Sequence, residues 1–347
     1  MNIQYEDIKS QLNADNVVGS GGYGTVYRIV INKINYAVKQ INLKNLTDNE
    51  ILVMENEAKN LIKINHKNIV KYYNLYKNKD SLFILMEYCP NKDLLEFIEL
   101  KKKNNSSFDN LVIFSIVSDI CEGLIEIHKN NLIHRDLKPE NIFISKDYTF
   151  KIGDFDFVKR LNGSKNIKAT SQKGTINYMA PEMIKPQNNN NKYSNKIDIW
   201  ALGCIIYELC NLDKSFDCES IIELFNKIEN SNYKDLKNND WKTIVDKLLN
   251  KNPDKRPDIN KAYNKIIKLG EKYKDLIFSE EHLNSLDDEE YLNSLDEFSK
   301  NIIKKFKSKM KKRSSDSSQN VIFLIISFIL LLILCCFNNN KKHKNKK

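Results

Sequence analysis

The sequence of 347 residues predicts an α+β fold in two lobes, and three observations carry that prediction. Residues 17–90 alternate short β-branched and aromatic runs with turns, the signature of strands; Asn35–Ile41 and Ser81–Tyr88 are the clearest. One segment interrupts them, where Glu55, Ala58, Leu61, Ile62 and Ile64 recur at helical spacing. From Leu94 to Gly270 the period is mostly helical, with long apolar faces over Leu111–His128 and Ile199–Leu209. A small strand-rich part followed by a larger helical part implies two lobes with a cleft between them.

Composition narrows the class. A hydrophobic fraction of 41% suffices for a sizeable core, and seven cysteines without a C-x-x-C pair read as reduced thiols, not as a disulfide frame or zinc site. Met1–Leu12 is polar, so no signal peptide is expected. The net charge of +10 is unevenly spread: thirteen Lys/Arg against one Asp lie in residues 300–347, and ten acids against two lysines in residues 271–299. A charge excess gathered at one end disfavours nucleic acid as a partner. The run Asn188–Asn191 reads as a loop insertion, and two L-N-S-L-D copies, Leu283–Asp287 and Leu292–Asp296, are too few for a solenoid.

The chemistry begins at Val18-Gly19-Ser20-Gly21-Gly22-Tyr23-Gly24-Thr25-Val26. Without Cβ atoms such a chain turns tightly and brings backbone N–H groups against phosphate oxygens. A dinucleotide fold would open a helix here. Thr25–Val30 continues instead as a strand, which points to a hairpin lying over phosphates. Thirteen residues past Val26, Lys39 ends the strand Ala37-Val38-Lys39, within reach of phosphates if Glu57 on the following helix holds it. In His134-Arg135-Asp136-Leu137-Lys138-Pro139-Glu140-Asn141, Asp136 is placed to accept the proton of an attacking hydroxyl. Lys138 neutralises charge on a transferring phosphoryl group, and Asn141 offers a metal donor. Asp154, thirteen residues on, supplies the second metal donor. Phosphoryl transfer needs positioned positive charge and an oriented nucleophile, and this set supplies both.

In this order the glycine loop, A-V-K, helix Glu, H-R-D-L-K-P-E-N and Asp154-Phe155, followed by Ala180-Pro181-Glu182 and Asp198-Ile199-Trp200, resemble the eukaryotic protein kinase superfamily over residues 12–270. The resemblance implies the two-lobed kinase fold, with a β-rich N-lobe and a helical C-lobe, using ATP and Mg²⁺ on protein substrates. It implies Met86 as gatekeeper, Glu87 and Cys89 in the hinge facing adenine, Asp93 at the ribose, Asp198 bracing the catalytic loop, and Glu182 paired with Arg256. Lys138 and Thr175 imply serine/threonine preference. Asn141-Ile142-Phe143, Lys151–Phe155 and Lys173-Gly174-Thr175 are similar to phrases of both the translation-initiation-factor-2 α-subunit kinases and the NimA-related kinases. Arg135 is a cation that a phosphate on Thr170 or Ser171 would compensate, with Lys159 sharing it.

One departure stands out. The family's D-F-G is Asp154-Phe155-Asp156, and an added carboxylate beside the metal donors raises the alternative of a pseudokinase adaptor.

The C-terminal reading comes from hydropathy. Val321–Phe337 holds seventeen residues with Ser327 as its polar member, about 25 Å as a helix. It is expected as a transmembrane helix, preceded by an acidic-then-basic linker (271–320) and followed by a basic tail (338–347). Ten residues beyond it imply a tail anchor on the outer mitochondrial membrane or endoplasmic reticulum, with the kinase domain in the cytosol.

Overall fold

In the computed structural model the described residues are 3–21, 24–155, 176–184, 193–236, 238–278 and 296–305. The chain divides into two compact units, Met1–Tyr291 and Leu292–Lys347.

The first unit opens with a short helix α1 (Tyr5–Lys9) and then builds one antiparallel sheet from β1 (Val17–Gly21), β2 (Gly24–Ile31), β3 (Ile34–Asn42), β4 (Tyr72–Lys77) and β5 (Ser81–Glu87). The spatial order is β1-β2-β3-β5-β4. Its single crossover carries α2 (Asp48–Lys63), which starts cleanly because Thr47 Oγ1 accepts the Glu50 N–H while Glu50 reaches back to the Thr47 N–H. Met54, Ala58 and Leu61 form its buried stripe. Alternation along β3 sorts side chains between faces: Tyr36 and Val38 go to one face, Ala37 and Lys39 to the other.

The helical lobe follows with α3 (Leu94–Lys103), α4 (Asn110–Lys129), a hairpin of β6 (Ile142–Ile144) and β7 (Phe150–Ile152), then α5 (Pro181–Ile184), α6 (Lys196–Asn211), α7 (Ile221–Asn230), α8 (Asn239–Leu248) and α9 (Ile259–Phe278). Helices α4 and α6 are buried nearly all round, which explains why their hydrophobicity reads as continuous and not striped. The lobes are stitched behind the cleft. Val70 donates to Ile152 O at 2.9 Å, Ile152 to Asn68 O at 2.9 Å, and Lys67 pairs with Glu122 on α4 at 2.6 Å.

In the second unit a helix spans 297–305, started by Asp296, whose carboxylate accepts the Ser299 N–H at 2.9 Å and hydroxyl at 2.8 Å.

The expectation of a transmembrane helix is corrected. No helix among the described residues is long and apolar enough to cross a membrane, and residues 321–337 lie outside the described residues. Among the described residues the fold is the two-lobed kinase arrangement and holds no membrane-crossing helix, so the expected tail anchor and organelle membrane are withdrawn. The reason is that an apolar run reports only how much greasy surface must be covered, not whether lipid or protein covers it.

Candidate active site

The glycine hairpin is built on a close approach. Gly24 has φ +135°, and a Cβ there would sit 1.9 Å from Gln40 O, so β2 lies against β3 only because that atom is missing. Val18, Gly19, Ser20 and Gly21 lie on β1, and Thr25 and Val26 on β2; Gly22 and Tyr23 lie outside the described residues. Val26 pairs with Lys39 across the ladder.

Lys39 is buried, and its ammonium forms an ion pair with Asp154 Oδ1. Glu57, the partner the sequence assigned to it, is half-buried on α2; the ion pair described for Lys39 is the one to Asp154. Asp154 itself has φ +54°, a left-handed conformation that an L-residue holds only under constraint. Phe155 supplies that constraint: its buried ring packs 4.7 Å from His134 and meets Tyr72 edge-on at 6.0 Å. The ring geometry therefore aims the preceding carboxylate toward Lys39.

The catalytic loop is held from below. Asp198 on α6 accepts the His134 N–H and the Arg135 N–H, both at 3.0 Å, and meets His128 Nε2 at 2.8 Å. Burial pushes the Asp198 carboxyl up, but the His128 bond and the neighbouring donors outweigh it and hold it below the usual carboxylate range. That clamp sustains the positive φ of Arg135, +68°. His134 Nε2 sits 2.9 Å from Gly153 O, and Gly153 N donates to Asn141 O at 3.0 Å, so loop and metal-donor strand move as one piece. Gly153 is a second required glycine, since a Cβ would lie 2.7 Å from Val70 and 3.0 Å from the Phe143 ring.

Asp136 and Asn141 are buried together. Lys138 Nζ lies 2.9 Å from Asp136 Oδ2, and Asn141 Nδ2 donates to Asp136 O at 2.7 Å and Oδ2 at 3.1 Å. With its nitrogen committed to Asp136, the Asn141 amide turns its oxygen away, the donor a hard divalent cation takes. Asn141 and Asp154 thus fit magnesium by donor type.

Farther out, Glu87 ends β5, where its carboxylate takes Lys151 Nζ and the Lys71 N–H, each at 3.1 Å. Cys89 is mostly buried, which pushes its thiol up to about 12. Asp93 caps α3 through the Glu96 N–H at 3.0 Å, and burial raises its carboxyl. Thr170, Ser171, Lys159 and Asp156 lie outside the described residues.

These positions match a known family: residues 12–266 match the Protein kinase domain. The chain belongs to the protein kinase family. It is 32% identical over 253 residues to "Serine/threonine-protein kinase Nek1" of Mus musculus, covering 72% of this chain and 20% of that one. Against "Serine/threonine-protein kinase Nek11" of Homo sapiens it is 34% identical over 248 residues, covering 69% and 38%. Among solved structures, Rad53 1–466 in complex with AMP-PNP superposes with TM-score 0.60 at 27% identity, covering 72% of this chain and 63% of that one. Both relatives are named serine/threonine-protein kinases, and the solved neighbour is in complex with AMP-PNP. The chain spans about a fifth to two-fifths of the length of these curated relatives. They are Nek kinases, so the NimA-related side of the resemblance is the one the comparison supports.

Sequence reasoning gave no place in the site to Lys151, Phe143 or Tyr72. Glu87 and Lys151 are 64 positions apart, and no local period announces a partner at that range. Tyr72 carried a faint signal, as a buried aromatic at a strand start; its hydroxyl is buried and finds no hydrogen-bond partner among the described residues.

Proposed function

We propose that this chain transfers the γ-phosphoryl group of ATP to serine and threonine hydroxyls of proteins. The observation that carries the reading is convergence: Lys39 from the strand-rich lobe meets Asp154 across the cleft, within one bonded network of Gly153, Asn141, Asp136 and Lys138.

In this reading Asp136 accepts the proton of the attacking hydroxyl, and the Lys138 ammonium beside it lowers the cost of charge gathering on the transferring group. Lys39 holds the nucleotide's phosphates, and the β1–β2 hairpin covers them with backbone N–H groups. Asn141 and Asp154 would hold magnesium, which would supply positive charge against the phosphates when bound. Asp198 keeps Asp136 aimed by fixing the backbone just before it. The Nek relatives and the likeness to Rad53 with AMP-PNP support the nucleotide and the acceptor class.

The test is transfer of labelled phosphate from Mg²⁺-ATP to a serine/threonine peptide array by the full chain. Asp136→Asn and Lys39→Ala are expected to lower the rate by at least about 100-fold. A wild-type chain no faster than these variants would overturn the reading in favour of the adaptor alternative.

A further inference from the structure

The residues before the family match, Ile3–Gln11, are built into the sheet. Ile8 is fully buried and Ile3 nearly so, in one apolar cluster with Ile29 of β2, Tyr36 and Val38 of β3, and Phe83 and Leu85 of β5. The Tyr5 ring lies 5.2 Å from Phe83 and 6.1 Å from Tyr76 of β4. Tyr76 Oη donates to Ile3 O at 2.5 Å. At the other end the Gln11 side chain behaves like a strand: Nε2 donates to Val30 O at 3.1 Å, and Val30 N donates to Oε1 at 2.8 Å. It can do so because β1 stops pairing at Val17–Tyr27 and leaves the β2 edge open beyond. The segment therefore crosses β2, β3, β5 and β4 on the face opposite Lys39.

We infer that Ile3–Gln11 is a positioning element for nucleotide use, strapping β2 to β4 so that the glycine hairpin keeps its height over Lys39. The argument is geometric. Ladder hydrogen bonds set register, but the twist between strands stays soft until one face is packed. Tyr36 and Val38 alternate with Ala37 and Lys39 on β3, so a load on the outer face is borne by the same backbone that carries the phosphate-facing lysine. Val26 of the hairpin and Ile84 of β5 flank Lys39 in the ladder, and both their strands are gripped by the strap. Acceptor peptide, by contrast, meets Asp136 and Lys138 in the helical lobe, which the strap does not touch.

The inference rests on the phosphotransfer reading of the cleft, and its test separates the two. In the full chain, Gln11→Ala, Ile8→Ala and the conservative Ile8→Val are compared for KM of ATP, KM of peptide, kcat, melting temperature and Kd of a fluorescent ATP analogue. Gln11→Ala and Ile8→Ala are expected to raise ATP KM and analogue Kd about three- to tenfold while peptide KM stays within about twofold, and Ile8→Val is expected to stay near wild type. If Ile8→Ala does not fold, Gln11→Ala decides alone, because that amide is largely outside the core. A lowered melting temperature with unchanged ATP KM and analogue Kd would overturn the inference and leave a structural staple. Strap-dependent analogue binding by a chain that transfers no phosphate would sink the transfer reading and keep this one.

Discussion

Arg256 and Lys39 are both buried cations of this unit, and they are treated oppositely. Arg256, with its side chain fully inaccessible, makes four hydrogen bonds through its three nitrogens. It forms a two-pronged pair with Glu182 at 2.7 and 2.8 Å, donates to Lys196 O at 2.9 Å and Asn250 O at 2.7 Å, and lies 5.0 Å over the Trp200 ring. Lys39 is nearly as buried, yet among the described residues it has one ion-pair partner, and Asp154 is 36% exposed at the cleft. A cation held this way by several fixed acceptors inside the fold is a structural lock. One held by a single, partly exposed carboxylate keeps donors for a ligand, at some cost to stability.

The largest expected effect breaks the lock. Glu182→Ala strands the Arg256 charge in the helical lobe and should cost about 3–5 kcal/mol in chemical denaturation, since an unpaired buried ion is far worse than none. If the loss is under about 1 kcal/mol, the contrast is wrong. On the other side, Lys39→Met should lower kcat/KM for ATP by about 100- to 1,000-fold while moving stability by less than about 1 kcal/mol, a split read by kinetics and denaturation on the same samples.

A third buried group sharpens the comparison because it takes neither route. Glu208 accepts a hydrogen bond from Tyr178 Oη at 2.5 Å, and burial raises its carboxyl to about 7, so at neutral pH about half of it is protonated. The sign follows from linkage. The folded state holds this proton up to about pH 7, whereas the unfolded chain releases it near the ordinary 4.5. Stability therefore falls as pH rises between those values and levels off above, by at most about 3 kcal/mol. Glu208→Gln should flatten that decline in denaturation curves from pH 4.5 to 8; an unchanged slope would show that other groups set it. The smallest effect belongs to the cleft side. Tyr72→Phe removes a buried hydroxyl without a described partner and should raise stability by about 0.5–1 kcal/mol in thermal denaturation.

The residues proposed as catalytic stood out in the sequence because that chemistry forces local spacing. Asp136, Lys138 and Asn141 share one tight turn, and Gly24 is required by a contact with the adjacent strand, so short motifs hold nearly all the information. Helix α2 likewise showed, since one-sided burial writes itself into the sequence at period 3.6, while α4 and α6, buried nearly all round, showed as long apolar runs. At residues 321–337 hydropathy alone predicts a membrane span, and no helix among the described residues provides one.

What only tertiary structure decided are the pairings between distant positions: Lys39 with Asp154, Glu87 with Lys151, and Gln11 with the open edge at Val30. Ile3, Ile8 and Leu12 looked like scattered apolar residues in a polar stretch until the sheet's outer face gave them a common surface. The physical reason is the same in each case. A motif is set by bonds along the chain, while a contact across 19 or 115 positions exists only after packing has brought its two ends together.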